Sequence, residues 1–206
     1  MPRWLIVAEI VGVAACVAFL AYRWWLVPEP SAGSPAGPRP PFAVRWTTRP
    51  LGALSRPSVK VCKAAHVLSV FDGERCVKSY RAAVGGGKGD KVREGDRCTP
   101  EGEFTVCLKN PDSDYVLSLG LSYPNAEDAA RGLRDGLIDR AEHGAIVQAI
   151  RGGDCPPWKT ALGGEIMIHG CGAGRDWTLG CIALDDDDIR ELYPALPLGT
   201  PVTVLP

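Results

Sequence analysis

The apolar and polar positions along the chain divide it into three parts. Residues 4–22 are almost continuously apolar, with Glu9 as their one charged residue, whereas residues 28–41 are mostly Pro, Gly, Ser and Ala. From about residue 59 onward, short apolar runs alternate with turn residues, which is typical of strands in a folded domain. The pattern predicts an N-terminal hydrophobic segment at 1–25, a Pro-rich linker at 26–57 and one folded domain at 58–206.

Most of the folded domain has the pattern of strands. Apolar runs at 67–71 and around Val77 flank Asp72-Gly73, a strong signal for a two-residue hairpin turn. Further strand-like runs lie at 104–108, 165–169, 181–184 and 201–205. The glycine-rich stretch Gly85–Asp90 lacks the Gly-Lys-Ser/Thr ending of a phosphate-binding loop, so it predicts a surface loop.

Helical patterns lie between the strands. Asn125 can cap a helix that begins at Ala126, and 139–150 places its apolar residues on one face. Asp185 can cap a short third helix, and the acidic run 185–188 suits the positive end of that helix without a bound ion. Strands at both ends of the domain with helices between them predict a mainly β fold, not a doubly wound parallel sheet.

The N-terminal apolar segment is long enough to span a bilayer as a helix. Arg3 precedes it, and Arg23, Trp24 and Trp25 follow it as interfacial anchors. We expect an uncleaved signal anchor that holds the protein to the inner membrane through residues 4–22. A cleaved signal peptide and a lipoprotein signal ending at Cys16 are alternatives that also place the domain in the cell envelope, and a buried core helix is a fourth interpretation.

Charge and cysteine content restrict the partners and cofactors. The formal net charge is -1 and no basic stripe dominates the chain, so nothing favours a nucleic-acid partner. Besides Cys16 there are seven cysteines, and in an oxidising compartment six could form three disulfides and leave one free thiol. The absence of a C-x-x-C pair and the presence of only three histidines argue against zinc, so we predict no metal and no cofactor.

The segment IMIHGCGAGRDWTLGCIAL at 166–184 carries the candidate chemistry. An apolar strand ends on His169, and a glycine-rich loop leads to Cys181 at the start of the next strand. A thiol attacks as its thiolate, and an imidazole within reach can take its proton. Amide groups at Gly180 and Cys181 could form an oxyanion hole. A core histidine and a disulfide cysteine would produce the same residues, so spacing alone leaves both interpretations open.

Several ordered motifs resemble the L,D-transpeptidase catalytic domain (YkuD-like) family. They are His169-Gly170, the later Thr178-x-Gly180-Cys181-Ile182, and Thr99-Pro100-Glu101-Gly102-Glu103-Phe104, with supporting segments at 122–125 and 199–202. The resemblance spans about 59–206 and implies a β-sandwich with the nucleophile in a groove. It implies that Cys181 attacks peptidoglycan stem tetrapeptides at the bond between an L-centre and a D-residue, with His169 as the base and the Gly170 carbonyl orienting the imidazole.

We also expect Thr178, Arg175 and Tyr123 to bind substrate, with Arg175 or Arg190 as a substitute for an arginine that the family carries and this chain lacks. The acyl-enzyme would pass to an amine acceptor, which forms a cross-link or attaches a protein. Many family members have His directly before the Gly-Cys pair and Arg two residues after the cysteine, where this chain has Leu179 and Ala183. A hydrolase of the same family, an L,D-carboxypeptidase or an amidase, therefore stays open as an alternative. A non-catalytic wall-binding domain with oxidised thiols is the third interpretation.

Cys171 competes with Cys181 for the role of nucleophile, because His169-Gly170-Cys171 imitates the family's His-Gly-Cys string. No histidine lies between His143 and Cys171 to act as its upstream base, and no apolar strand follows it, so the sequence favours Cys181. Cys171 is then available for a disulfide. The expected pairs are Cys155–Cys171, Cys62–Cys76 and Cys98–Cys107.

Overall fold

The computed structural model describes residues 38–206, in which eight strands and three short helices form a mainly β domain. The strands are β1 Pro57–Cys62, β2 Val67–Asp72, β3 Arg75–Arg81, β4 Gly102–Asn110, β5 Ser118–Leu121, β6 Met167–His169, β7 Ile182–Ala183 and β8 Pro201–Leu205. The helices are α1 Ala126–Arg134, α2 Arg140–Gly152 and α3 Asp186–Ala195. The predicted mainly β domain with short inserted helices is therefore confirmed.

All eight strands belong to one mixed sheet, in the order β3-β2-β1-β8-β4-β5-β6-β7. An antiparallel bridge between Ala83 and Ala183 joins the chain just after β3 to β7, at the other end of that order. The sheet therefore curls back on itself, and β4 pairs on one side with β8 and on the other with β5. The sequence led us to expect a sandwich, and the structure shows one continuous sheet whose two ends are joined by this bridge.

The predicted hairpin is present, since β2 and β3 pair antiparallel around Asp72-Gly73. The two strands nearest the candidate nucleophile are shorter than predicted, because β6 covers only 167–169 and β7 only 182–183. Strand β5 was not predicted at all. Its four residues are buried, and Gly120 lets the strand approach so closely that an added Cβ would lie 2.9 Å from the Leu108 Cβ.

The inside of the curled sheet holds the main hydrophobic core, and α3 packs on it through Ile189 and Leu192. A second, smaller core lies between α1 and α2, around Ile146 and Leu162. The predicted cap of α1 is confirmed, because the Asn125 side chain accepts from the amides of Glu127 and Asp128. Asp185 occupies the cap position of α3 without a side-chain hydrogen bond to the helix.

Residues 42–56 lie in the predicted linker but pack on the domain. Arg45 N–H donates to Ser79 Oγ (2.8 Å), and Ser79 N–H donates to Arg45 O (2.8 Å), which extends the edge of β3. Leu51 N–H donates to the Glu191 carboxylate, and the Asp72 carboxylate accepts from Ser55 and Arg56. These hydrogen bonds hold residues 45–56 against β3, α3 and the β2–β3 turn.

The single disulfide among residues 38–206 joins Cys107 on β4 to Cys155 after α2, with 5.2 Å between their Cα atoms. The three predicted pairings are therefore wrong. Cys62, Cys76, Cys98, Cys171 and Cys181 are free in this part of the chain. Cys181 is free as expected. It is one of five free thiols in this part of the chain, whereas the sequence predicted that one cysteine would stay unpaired after three disulfides had formed.

Within residues 38–206 no helix is both long and apolar enough to cross a membrane. The predicted signal anchor at residues 4–22 lies outside the described residues.

Candidate active site

The candidate site lies where β6 and β7 run side by side. The two strands are parallel, with Ile168 beside Ile182 and His169 beside Ala183. Paired residues in a ladder share a face of the sheet, and alternate residues return to that face. His169 therefore shares a face with Ala183, and Cys181 comes directly before β7. The two predicted catalytic residues thus lie at adjoining positions of paired strands, since His169 ends β6 and Cys181 precedes its partner β7.

The His169 imidazole is buried and held from one side. Its Nδ1 lies 2.7 Å from the Gly170 carbonyl oxygen. A carbonyl only accepts hydrogen bonds, so Nδ1 carries the proton and Nε2 of the neutral ring is left as the basic atom. Burial lowers the pKa of His169, while the hydrogen bond to Gly170 acts in the opposite direction. The neutral, proton-accepting form is therefore favoured.

The Cys181 thiol is half-buried beside β6. Its Sγ donates to Glu165 O (3.5 Å) and accepts from Met167 N–H (3.4 Å). Burial raises the pKa of Cys181; the Met167 amide lowers it, and the Glu165 charge raises it. The resting pair is thus a neutral thiol and a neutral imidazole, and no hydrogen bond joins the two side chains in the described structure.

Two threonine hydroxyls fix the backbone below the thiol. Thr178 Oγ1 donates to Cys181 O (2.7 Å), and Thr99 Oγ1 donates to the same oxygen from 3.4 Å. Thr99 Oγ1 also accepts from Gly85 N–H (2.8 Å), which links the glycine-rich stretch to the backbone at Cys181. Thr178 is buried at 3% exposure. Its observed contacts are with the backbone of Gly180 and Cys181, and the expected contact with substrate stays a prediction.

The chain reaches Cys181 through a strained glycine. Gly180 has φ +136°, and a Cβ added there would lie 2.8 Å from Cys98 O and 3.1 Å from the Ile166 side chain. Its N–H donates to Thr178 Oγ1 (3.2 Å), so this amide is already occupied. The Cys181 N–H has no acceptor within residues 38–206. Of the two predicted oxyanion-hole donors, the Cys181 amide is the one left available.

Two aromatic rings that the sequence did not reveal surround His169. The Tyr115 ring lies over the imidazole with 4.6 Å between centroids, and Trp177 approaches it edge-on at 5.7 Å. Trp177 Nε1–H donates to Gly172 O (3.1 Å), which fixes the indole in the loop between His169 and Cys181. Trp177 lay within the motif segment, but nothing in the spacing of Tyr115 from His169 signals their contact.

Three other residues singled out from the sequence lie in different surroundings. Tyr123 is fully buried and donates its hydroxyl to Leu162 O (3.0 Å), whereas the sequence predicted a contact with substrate. Arg175 is exposed in the 171–178 loop. Cys171 is exposed with φ +75°, and its N–H donates to Asp186 Oδ1 (2.8 Å) in the turn that leaves β6.

No group of three or more potential metal ligands is found among residues 38–206.

The curated proteins that this chain matches carry the term L,D-transpeptidase in their names. YafK of Escherichia coli (strain K12), whose name assigns it to the L,D-transpeptidases, is 29% identical over 122 residues. That match covers 56% of this chain and 37% of YafK, so the chain spans little more than a third of the curated relatives it matches.

Solved structures with a similar chain path include the helical cell shape determining protein Pgp2 of Campylobacter jejuni. That match has a TM-score of 0.49 and 22% identity, and it covers 75% of this chain and 50% of Pgp2. An L,D-transpeptidase of Xylanimonas cellulosilytica matches with a TM-score of 0.45 and 15% identity, covering 77% of this chain and 64% of that one.

A family model also matches. It is the model of the L,D-transpeptidase catalytic domain, YkuD, and it covers residues 56–204, which include every strand from β1 to β7 and both catalytic candidates. Because this model matches well over half of the chain, the protein belongs to the L,D-transpeptidase catalytic domain family.

Proposed function

We propose that this chain is an exported peptidoglycan L,D-transpeptidase that works through a Cys181 acyl-enzyme. The observation that carries the proposal is that Cys181 Sγ lies against the backbone of Glu165 and Met167, where the chain enters the strand that ends on His169, and that Gly170 O orients the His169 imidazole. Membership of the family supports a peptidoglycan stem peptide as the substrate.

In the first half of the reaction, Cys181 Sγ attacks the carbonyl carbon of the third residue of a stem tetrapeptide. His169 Nε2 takes the thiol proton as the carbon–sulfur bond forms. The Cys181 N–H stabilises the oxyanion of the tetrahedral intermediate. Collapse of this intermediate breaks the amide bond, and the departing D-alanine amine takes the proton from His169. A thioester remains on Cys181.

In the second half, an amine acceptor attacks the thioester and gives a proton to His169. The carbon–sulfur bond breaks, and the proton returns to the thiolate. An amine on another stem peptide forms a cross-link, an amine on a protein attaches that protein, and water gives hydrolysis. Ala183 stands beside His169 where many family members carry arginine, so the choice of acceptor is the open step.

The cell envelope is the proposed location. A disulfide such as Cys107–Cys155 persists in oxidising compartments outside the cytoplasm. We propose that residues 4–22 anchor the domain to the inner membrane and that the Pro-rich stretch 28–41 spaces it from the bilayer.

Full-length protein incubated with tetrapeptide muropeptides tests the proposal. The wild type should give a thioester adduct by mass spectrometry and then dimers or D-amino-acid exchange products. Cys181→Ser should lower turnover by at least about a thousandfold, because the nucleophile is lost. Cys171→Ser, which removes an exposed thiol in the same segment, is the matched control and should keep its activity.

Tripeptides without dimers or exchange products would identify a hydrolase of the same mechanism. An adduct on Cys171, or full activity in Cys181→Ser, would overturn the assignment of the nucleophile.

A further inference from the structure

A groove of about 720 Å³ opens beside the catalytic loop and contains neither Cys181 nor His169. Its volume lies in the range of small-molecule sites. It is lined by the 46–48 segment, by β3 residues 78–81, and by Asp185 and Asp188 at the start of α3. Asp185 Oδ1 also accepts from Ala173 N–H (3.0 Å), so one wall of the groove supports the loop between the two catalytic residues.

Hydrogen bonds and an ion pair hold the walls of this groove in place. Arg45 and Ser79 exchange two hydrogen bonds, which fix the backbone next to Trp46. Lys78 Nζ pairs with the Glu191 carboxylate (2.6 Å), and Tyr80 donates to the same carboxylate (3.2 Å). The groove is therefore formed before any ligand enters, which reduces the entropy cost of binding.

Three side chains of the groove are free to meet a ligand. Trp46 is 57% exposed, an unusual state for an indole. The side chains of Arg81 and Asp188 form no hydrogen bond or ion pair with any residue in 38–206. A flat apolar ring beside one free donor group and one free acceptor group suits a ligand with an apolar face and hydroxyl or amide edges. Sugar rings have this character.

The position of the groove relative to Cys181 also fits a sugar ligand. Asp185 lies four residues after Cys181 along an extended run, which corresponds to about 13 Å. Extension of the Ala83–Ala183 bridge by two residues places Arg81 opposite Asp185. A stem peptide acylated at its third residue has three residues between Cys181 and the glycan, and these span about 11 Å. The glycan that carries the stem can therefore reach this groove.

On this basis, and resting on the proposed function, we propose that the groove is a glycan subsite. It takes the N-acetylated amino-sugar chain that carries the donor stem peptide, with Trp46 stacking on a sugar ring and Arg81 and Asp188 binding its polar edge. The subsite would make the enzyme favour stem peptides attached to glycan over free peptides.

Binding is tested first without turnover. Full-length Cys181→Ser protein is titrated by calorimetry with the peptide-free disaccharide of N-acetylglucosamine and N-acetylmuramic acid. In this background, Trp46→Ala should weaken disaccharide binding up to about tenfold, whereas Trp46→Phe should keep most of the affinity. Asp188→Asn, which leaves the Trp46 indole in place, should also weaken binding. Leu198→Ala is the matched control, because Leu198 is equally exposed at 61% and does not line the groove.

Turnover is then compared for the free tetrapeptide and the disaccharide tetrapeptide. The ratio of the two kcat/KM values should favour the disaccharide substrate in the wild type and fall up to about tenfold in Trp46→Ala. Absence of disaccharide binding to the wild-type groove, or binding unchanged by Trp46→Ala, would overturn the subsite even if the enzyme is active. Glycan binding without turnover of either substrate would refute the proposed function and leave the subsite standing.

Discussion

At the scale of single residues, the candidate site pairs two uncharged groups, the His169 imidazole and the Cys181 thiol. Burial disfavours both the imidazolium of His169 and the thiolate of Cys181, and Gly170 O fixes the imidazole so that Nε2 is the base. Both shifts favour the neutral pair, so we expect proton transfer to accompany the attack. This arrangement limits reaction of the thiol with other electrophiles in the envelope, because only the thiolate attacks.

We predict that Tyr115→Ala raises the pKa that governs the acidic limb of the pH profile of kcat/KM, and moves it toward the ordinary histidine value. The Tyr115 ring covers His169, and burial is what lowers the pKa of that imidazole. A lowered pKa keeps the base neutral to a lower pH, so exposing the ring to water moves the loss of activity to a higher pH. At neutral pH, kcat/KM should also fall about tenfold as the imidazole loses its orientation.

Tyr115→Phe keeps the ring and serves as the control, since the Tyr115 hydroxyl donates no hydrogen bond within residues 38–206. An acidic limb that stays in place in Tyr115→Ala would show that the ring does not shield His169.

At the scale of elements, the loop from Gly170 to Gly180 decides the geometry of the site. It leaves β6 at His169 and returns to β7 at Cys181, and carboxylates fix it along its length. Asp185 and Asp186 accept from its first half, and its own Asp176 accepts from Val84 N–H (2.9 Å). A loop that is bonded to the rest of the domain along its length holds His169 and Cys181 in place without a long strand.

Gly180→Ala should disrupt the site, because no Cβ fits between Gly180 and Cys98 O and the φ of +136° disfavours any side chain. We expect the free energy of unfolding to fall by about 1–3 kcal/mol and kcat/KM to fall about a hundredfold. Urea unfolding and steady-state kinetics measure the two effects.

Gly174→Ala is the control in the same loop, since a Cβ at Gly174 meets nothing within 4 Å. Equal behaviour of the two variants would argue against a steric role for Gly180.

At the scale of the whole molecule, one covalent link connects the helical layer to the sheet. Cys107 lies on β4 in the middle of the sheet order, and Cys155 follows α2, 48 residues later. The helices have only a small core of their own between them. The disulfide therefore limits how far this layer can separate from the strands that carry the site.

The double variant Cys107→Ser and Cys155→Ser should lose about 4 kcal/mol of stability, because the unfolded chain regains the entropy of a closed loop of this length. Thermal unfolding with and without a reductant measures it, and reduced wild type should unfold at the temperature of the double variant. Cys171→Ser, which removes an exposed free thiol, should change stability by less than about 0.5 kcal/mol. A melting temperature insensitive to reductant would contradict this role.

Much of the fold was predictable because the signals are local. Asn125 marks the start of α1, and Asp72-Gly73 marks the β2–β3 hairpin, since caps and tight turns depend on adjacent residues. Strand β5 escaped prediction because its four residues are buried on both faces and include Gly120, so neither alternation nor β propensity marks them. The short length of β6 and β7 was not predictable either. Beyond β6, the backbone amides of Cys171 and Ala173 bond to the carboxylates of Asp186 and Asp185 and not to a neighbouring strand.

By itself, the sequence determined which residues could perform the chemistry: a histidine ending one apolar run and a Gly-Cys pair beginning the next, in an order shared with a known family. Only the tertiary structure decided that Cys181 Sγ lies against the backbone of β6, that Tyr115 covers the His169 imidazole, that Tyr123 is buried, and that Cys107 pairs with Cys155. The physical reason is the same in each case. These contacts join residues far apart in the chain, and their geometry is set by how the sheet curls and packs, which no local spacing encodes.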